Sequence, residues 1–223
     1  MTDVPPAGAP ARQFGAGDIR RLFDQLSSHL SDAGSAGHHL LIAGGAALAL
    51  MWEDRTTRDV DVLEHRFRAP PGLDGERRTT AVDFISMRFP AEMARAARLI
   101  ADAERLPPNW LNGSAAIFTP ACEFGRQVLH RTDHLTVEAP SPTVLLAMKL
   151  HAARPKDLRD AARLARDTEI TDRDQLLALV ADAYGADAAT ARTADFARHA
   201  MSMGLHPVHN PRKQPGRGYD AGR

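Results

Sequence analysis

The sequence predicts an α/β fold of the α+β kind: a short mixed sheet with attendant helices, packed against a C-terminal helical bundle. Three observations predict it. Short β-like runs and helical patterns are interleaved over residues 15–139; only helical periodicity follows Ser141; and the 223 residues are 43% hydrophobic, enough to bury a sizeable core.

Each element has a local reason. Residues 1–14, rich in Pro, Ala and Gly, and the basic segment 206–223 read as flexible tails flanking a core at 15–139 and a helical region at 140–205. Ile19, Leu22, Phe23, Leu26 and Leu30 recur at helical spacing between Asp18 and Ala33, and Gly34 supplies a stop. His39 to Ala43 is an apolar run that ends at Gly44-Gly45, and Ala46 to Trp52 resumes with strong helix formers, which predicts strand, glycine turn and short helix. From Arg58 to Leu63 the alternation Asp59-Val60-Asp61-Val62 has the period of a strand with both acids on one face. A Pro/Gly-rich loop follows, and Ala81 to Met87 is expected to form another strand, holding Asp83.

A helix is predicted from Ala91 to Glu104, stopped by Pro107-Pro108, with Trp110-Leu111-Asn112 in an exposed connection. Gln127 to His130 and Leu135 to Glu138 are β-like. Ser141-Pro142 reads as a cap followed by proline in the first turn, and Pro155 ends or kinks the helix so opened. Three more helices are expected: Lys156 to Arg166, one opened by Thr171 and closed near Gly185, and Asp187 to Met203.

Bulk properties exclude several classes. The 28 basic residues balance 28 acidic ones, so net charge carries no signature of a protein that coats nucleic acid. The single cysteine, Cys122, forms no intramolecular disulfide, and a reducing cytoplasm is the expected compartment. Neither a membrane span nor a signal-peptide pattern is visible, so no membrane partner is expected.

The chemistry-bearing pattern lies between Gly44 and Asp61. Side-by-side carboxylates at Asp59 and Asp61 offer hard oxygen ligands to divalent cations, and Gly44 and Gly45 let backbone N–H groups approach a phosphate at a helix start. Arg55 and Thr57 fall on the same period-two face if the strand begins that early, placing a cation and a hydroxyl beside the acids. Thirteen residues separate Gly45 from Asp59. Lys149 lies on a helix apolar nearly all round, where a charge is costly unless paired or ligand-bound, and it is a lysine in a chain whose cations are mostly arginine. A snorkelling lysine at the rim is the plainer alternative. Asp157 and Asp160, three apart after Pro155, share a helical face.

Together "AGGAALAL", "RTTRDVDV", "LPPNWLN" and "LLAMKLHAARPKDLRDAARL" resemble the AbiEii-type nucleotidyltransferases of type IV toxin–antitoxin systems, within the DNA polymerase β-like superfamily. The resemblance spans about Asp18 to Leu164. It implies a nucleotidyltransferase core with Gly44 and Gly45 at the nucleotide phosphates, Asp59 and Asp61 as ligands of magnesium or manganese, Lys149 at the triphosphate, and Asp157 or Asp160 as the downstream catalytic aspartate. Asp83 resembles the third metal-binding carboxylate, against the plainer reading of an edge-strand acid. Gly45 stands where the superfamily often carries serine. The implied activity is transfer of a nucleoside monophosphate from an NTP to a tRNA 3′ end, by a toxin with a cognate antitoxin. The same core also modifies small molecules or proteins, an acceptor class that neutral net charge favours, and a catalytically inactive nucleotide- or partner-binding module is the reading from another class.

The remaining candidates point elsewhere. His130 and His134 have zinc-like spacing but flank a turn; His38-His39 is expected to start a strand; Trp110 is a packing anchor before it is a base-stacking platform; Cys122 has no activating partner.

Overall fold

The computed structural model describes residues 12–67, 89–122 and 124–205. Among these, seven α-helices surround a five-stranded mixed sheet of order β3-β2-β1-β5-β4. Strand β1 (His38–Ala43) is central because five of its six side chains are buried. It pairs antiparallel with β2 (Val60–Arg66) and parallel with β5 (Leu135–Pro140). Strand β4 (Arg126–Arg131) closes one edge antiparallel to β5, and β3 (Leu111–Asn112) closes the other parallel to β2. The β1–β2 register slips between Leu41 and Ile42, so that Leu63 is the extra residue of a bulge. Val62 and Leu63 are consequently both buried, whereas Val60, Asp61 and Val62 alternate and turn Asp61 away from the core.

Helix α1 (Ala16–Asp32) buries the apolar stripe anticipated from its spacing and packs on α3 (Ala91–Glu104), whose bounds match the sequence reading. Helix α2 (Gly44–Trp52) begins on the first glycine, so Gly44 and Gly45 form its first turn. Helix α4 (Pro142–Ala152) starts at Ser141, whose hydroxyl accepts the Val144 N–H, as expected. It packs against β5 and against α5 (Leu158–Asp167), α6 (Arg173–Tyr184) and α7 (Ala191–Leu205), which is why it is apolar nearly all round. One continuous buried cluster, reaching from Phe14 to Ala200, joins the sheet half to the helical half.

Several expectations need correction. Trp110 is fully buried and its Nε1–H donates to the Ala97 carbonyl at 2.9 Å, while Leu111 and Asn112 form an edge strand; the segment is no exposed connection. Phe14, the last residue assigned to the N-terminal tail, is fully buried and bridges to Thr57 through backbone hydrogen bonds of 2.7 and 3.0 Å. The cap of α6 is Asp172, one residue after Thr171, because its carboxylate reaches the Asp174 N–H at 2.5 Å. Helix α7 starts at Ala191, after a 3₁₀ turn at Ala186–Ala188, later than the Asp187 expected. The strand expected over Ala81 to Met87, with Asp83, lies outside the described residues. Among the described residues no helix is long and apolar enough to cross a membrane.

Candidate functional site

Strand β1 delivers the chain to α2 through a backbone that only glycine takes comfortably. Gly44 has φ of +66°, and a Cβ there would lie 2.5 Å from Asp61 Oδ2. A Cβ on Gly45 would lie 2.5 Å from Thr57 Oγ1 and 2.9 Å from Thr57 Cβ. The glycine pair is thus the surface against which the acidic strand closes. Ala43, the residue before α2, caps the helix with no side-chain hydrogen bond, and no acidic residue occupies the first turn, so the carboxylate set against that positive end is Asp61, from the neighbouring strand.

Asp61 and Asp59 reach the same place differently. Asp61 sits in β2 opposite Ala43 and in register with Asn112 of β3. Strand β2 begins only at Val60, so Asp59, Thr57 and Arg55 enter from the preceding loop and the period-two face proposed for Arg55 and Thr57 does not extend to them. Thr57 is held by its bridge to Phe14, and its hydroxyl donates to the Asp59 carbonyl at 3.1 Å and faces its carboxylate at 3.4 Å. Burial and then the adjacent Asp59 charge raise the Asp61 carboxyl above its ordinary value, against smaller opposing effects of Asn112, Arg154 and Lys149.

The buried ammonium of Lys149, 6% exposed, lies 2.5 Å from Asp157 Oδ1 and 3.0 Å from Asp160 Oδ2, and both carboxylates are themselves buried. Arg154 Nε meets the other oxygen of Asp157 at 2.5 Å, and Arg55 grips Asp160 through Nε at 3.0 Å and Nη2 at 3.3 Å. A chain of alternating charge therefore runs Arg154, Asp157, Lys149, Asp160, Arg55. Snorkelling does not describe Lys149, which is paired internally. Burial pushes Asp157 up, but the Lys149 charge and hydrogen bond, with Arg154, outweigh it and hold the carboxyl below its ordinary value.

A cavity of about 320 Å³ gathers Gly44, Gly45, Arg55, Thr57, Asp59, Asp61, Lys149 and Asp157, eight of the residues singled out in the sequence. Asp160 lies behind them, against Lys149 and Arg55. Asp83 lies outside the described residues. Asn109, Asn112, Ser114, Arg154 and Lys156 complete the lining and were not anticipated as site residues. The two asparagines were within reach, since both fall in the Leu106 to Asn112 motif.

The donor set fits a hard divalent cation. A divalent cation there would be held by the carboxylates of Asp59 and Asp61, and its charge would relieve the repulsion by which Asp59 raises Asp61. Among the described residues no group of three or more His, Cys, Asp or Glu side chains is arranged to hold a metal ion. Two carboxylates completed by water and phosphate oxygens are a usual protein contribution to a magnesium site. The histidines stand apart: His38 pairs with buried His65 at 3.0 Å, and His130 reaches Asp24 at 2.9 Å.

Comparison of the chain with models of known families, with curated proteins and with solved structures yields no match.

Proposed function

We propose that this chain is a magnesium-dependent nucleotidyltransferase that moves a nucleoside monophosphate from an NTP to an acceptor hydroxyl. One observation carries the reading: the glycine turn at the start of α2 closes directly on Asp61, in a polar cavity that Asp59 and Lys149 also line. Asp59 and Asp61 would hold magnesium or manganese, which when bound neutralises phosphate charge and acidifies the attacking hydroxyl. The first-turn N–H groups of α2 receive phosphate oxygens, and Arg154, half exposed, offers a further cationic contact at the rim. Lys149 contributes its charge to the cavity while holding Asp157 and Asp160 in place.

In the transfer, the acceptor oxygen bonds to the α-phosphorus as the bond from that phosphorus to the bridging oxygen of the β-phosphate breaks. Pyrophosphate leaves with the electron pair, and the hydroxyl proton passes to water. The proposed acceptor is the 3′ end of tRNA, with the chain acting as a toxin that a cognate antitoxin restrains, as the sequence resemblance implies. A small-molecule or protein acceptor is the second reading, favoured by the formal net charge of zero.

The test incubates the protein with labelled NTPs, magnesium and, separately, RNA, protein and small-molecule fractions. Label is expected in the RNA fraction and lost in Asp61→Ala. Absence of transfer in every fraction, or transfer that survives Asp61→Ala, rejects the enzymology.

A further inference from the structure

A second cavity of about 270 Å³ opens beside the polar one. The two share Gly44, Asp61, Ser114, Lys149 and Arg154 as a common wall. Among the described residues, those that line the second cavity alone are all apolar: Ala43, Ala115, Phe118, Leu145, Met148 and Ala152. One compartment is therefore built for charge, and among the described residues the other carries no side-chain hydrogen-bonding group of its own.

Phe118 is the unusual member. Its side chain is 49% exposed, yet the backbone beneath it is fixed. It ends a 3₁₀ turn, Ala116–Phe118, and its carbonyl accepts the Tyr184 hydroxyl at 2.8 Å. The Tyr184 ring stacks on His151 of α4 with centroids 4.1 Å apart, and the Ala121 N–H donates to the Ala183 carbonyl at 3.3 Å. The turn is thus pinned to α6 while its aromatic ring stays in solvent at the mouth of an apolar chamber. An anchored ring left exposed in this way gains contact only when something flat and apolar covers it.

We infer that the apolar chamber takes the nucleobase of a nucleoside triphosphate whose phosphates occupy the polar cavity, holding the base by stacking on Phe118 and by apolar contact. The inference rests on the nucleotidyltransferase reading and deepens it. A ligand with an anionic head and a flat apolar end, joined over a short distance, matches the shared wall at Gly44, Asp61 and Arg154. Sequence-tolerant binding follows from the lining. Every base presents a π-face, whereas telling one base from another requires donors and acceptors aimed at its edge, and among the described residues the side chains confined to this chamber have none. The site accepts all four NTPs.

Equilibrium binding in magnesium of ATP, GTP, CTP, UTP and inorganic triphosphate tests it, on the full chain and on two variants. The four NTPs are expected to bind within about tenfold of one another, and each about tenfold or more tighter than triphosphate. Phe118→Ala removes the stacking face and Ala152→Phe fills the chamber. Each is expected to weaken NTP binding about tenfold while leaving triphosphate binding unchanged, a control that also reports intact folding. Failure of wild type to bind triphosphate removes the phosphate compartment and the parent reading with it. Triphosphate binding as tight as NTP binding, or NTP binding unaffected by both variants, overturns the chamber alone. A preference of more than about a hundredfold for one NTP overturns the base tolerance.

Discussion

Gly44 and Asp61 approach so closely that a single methyl group on the glycine would lie 2.5 Å from the carboxylate oxygen. Gly44 also holds φ of +66°, so a side chain there meets both a collision and an unfavourable backbone. Gly44→Ala is expected to remain folded, to lose about 1–2 kcal/mol of stability, and to lower nucleotide transfer at least about a hundredfold by displacing Asp61. Chemical denaturation beside the transfer assay reads both effects. Unchanged transfer in a folded Gly44→Ala protein shows that the approach of turn and carboxylate is irrelevant to activity.

On the proposed reading, Asp61 couples magnesium binding to stability. Burial and Asp59 raise its carboxyl, so the stability that its protonated form contributes is full below the ordinary carboxylate range and is lost as pH rises through the raised value. Magnesium is expected to raise Tm at about pH 7, where the carboxylate is charged, and to have little effect at about pH 4. Asp61→Asn should raise the metal-free Tm at neutral pH and abolish the magnesium response. A magnesium shift that persists in Asp61→Asn places the cation elsewhere.

Lys149 holds two buried carboxylates at once. Lys149→Met removes their common partner and is expected to cost about 3 kcal/mol, with Arg154 and Arg55 limiting the loss by retaining one carboxylate each. The depressed Asp157 carboxyl contributes stability above the ordinary carboxylate range that is lost as pH falls through its lowered value. Wild type and Asp157→Asn should therefore differ most at neutral pH and converge in acid. Parallel curves down to acid pH contradict the pairing.

A second titrating pair sits away from the site. His38 and His65 are fully buried, 3.0 Å apart, with rings stacked, and His38 is also 2.8 Å from Ser35 Oγ. Burial lowers His38 to about 4 and His65 to about 3, from the ordinary 6.5. Both are neutral in the folded protein, so the stability they contribute is present above pH 6.5 and lost progressively as pH falls toward those values. Unfolding free energy is expected to drop on the order of 5 kcal/mol between pH 6.5 and about pH 4, and roughly half as much in His65→Phe. Equal slopes in the two proteins assign the acid limb to other groups.

Much of this geometry was legible because its causes are local. The run His39 to Ala43, the glycine pair and the alternation around Asp61 each carry their own period or turn chemistry, and the structure places the strand, the helix start and Asp61 where that chemistry puts them, with Asp59 just ahead of the strand rather than in it. Ser141-Pro142 and the Ala91 to Glu104 periodicity were read for the same reason. Leu111-Asn112 escaped because a two-residue strand has no period, and its pairing with Val60 and Asp61 depends on a partner fifty-one residues away in the chain.

By itself the sequence determined the mixed architecture, the presence of a Gly-Gly turn at a helix start followed by an Asp-x-Asp, and the anomaly of a lysine in an apolar helix, since each depends on residue type and spacing alone. Tertiary structure decided which charge meets which. Lys149 finds Asp157 and Asp160 only because Ala152 ends α4 and the 3₁₀ turn at Pro155 folds the next helix back upon it. The apolar chamber likewise exists only where a loop turn carrying Phe118 and the face of α4 carrying Leu145 and Met148 converge. Pairing energies and cavities depend on distances between segments remote along the chain, and no local period encodes those distances.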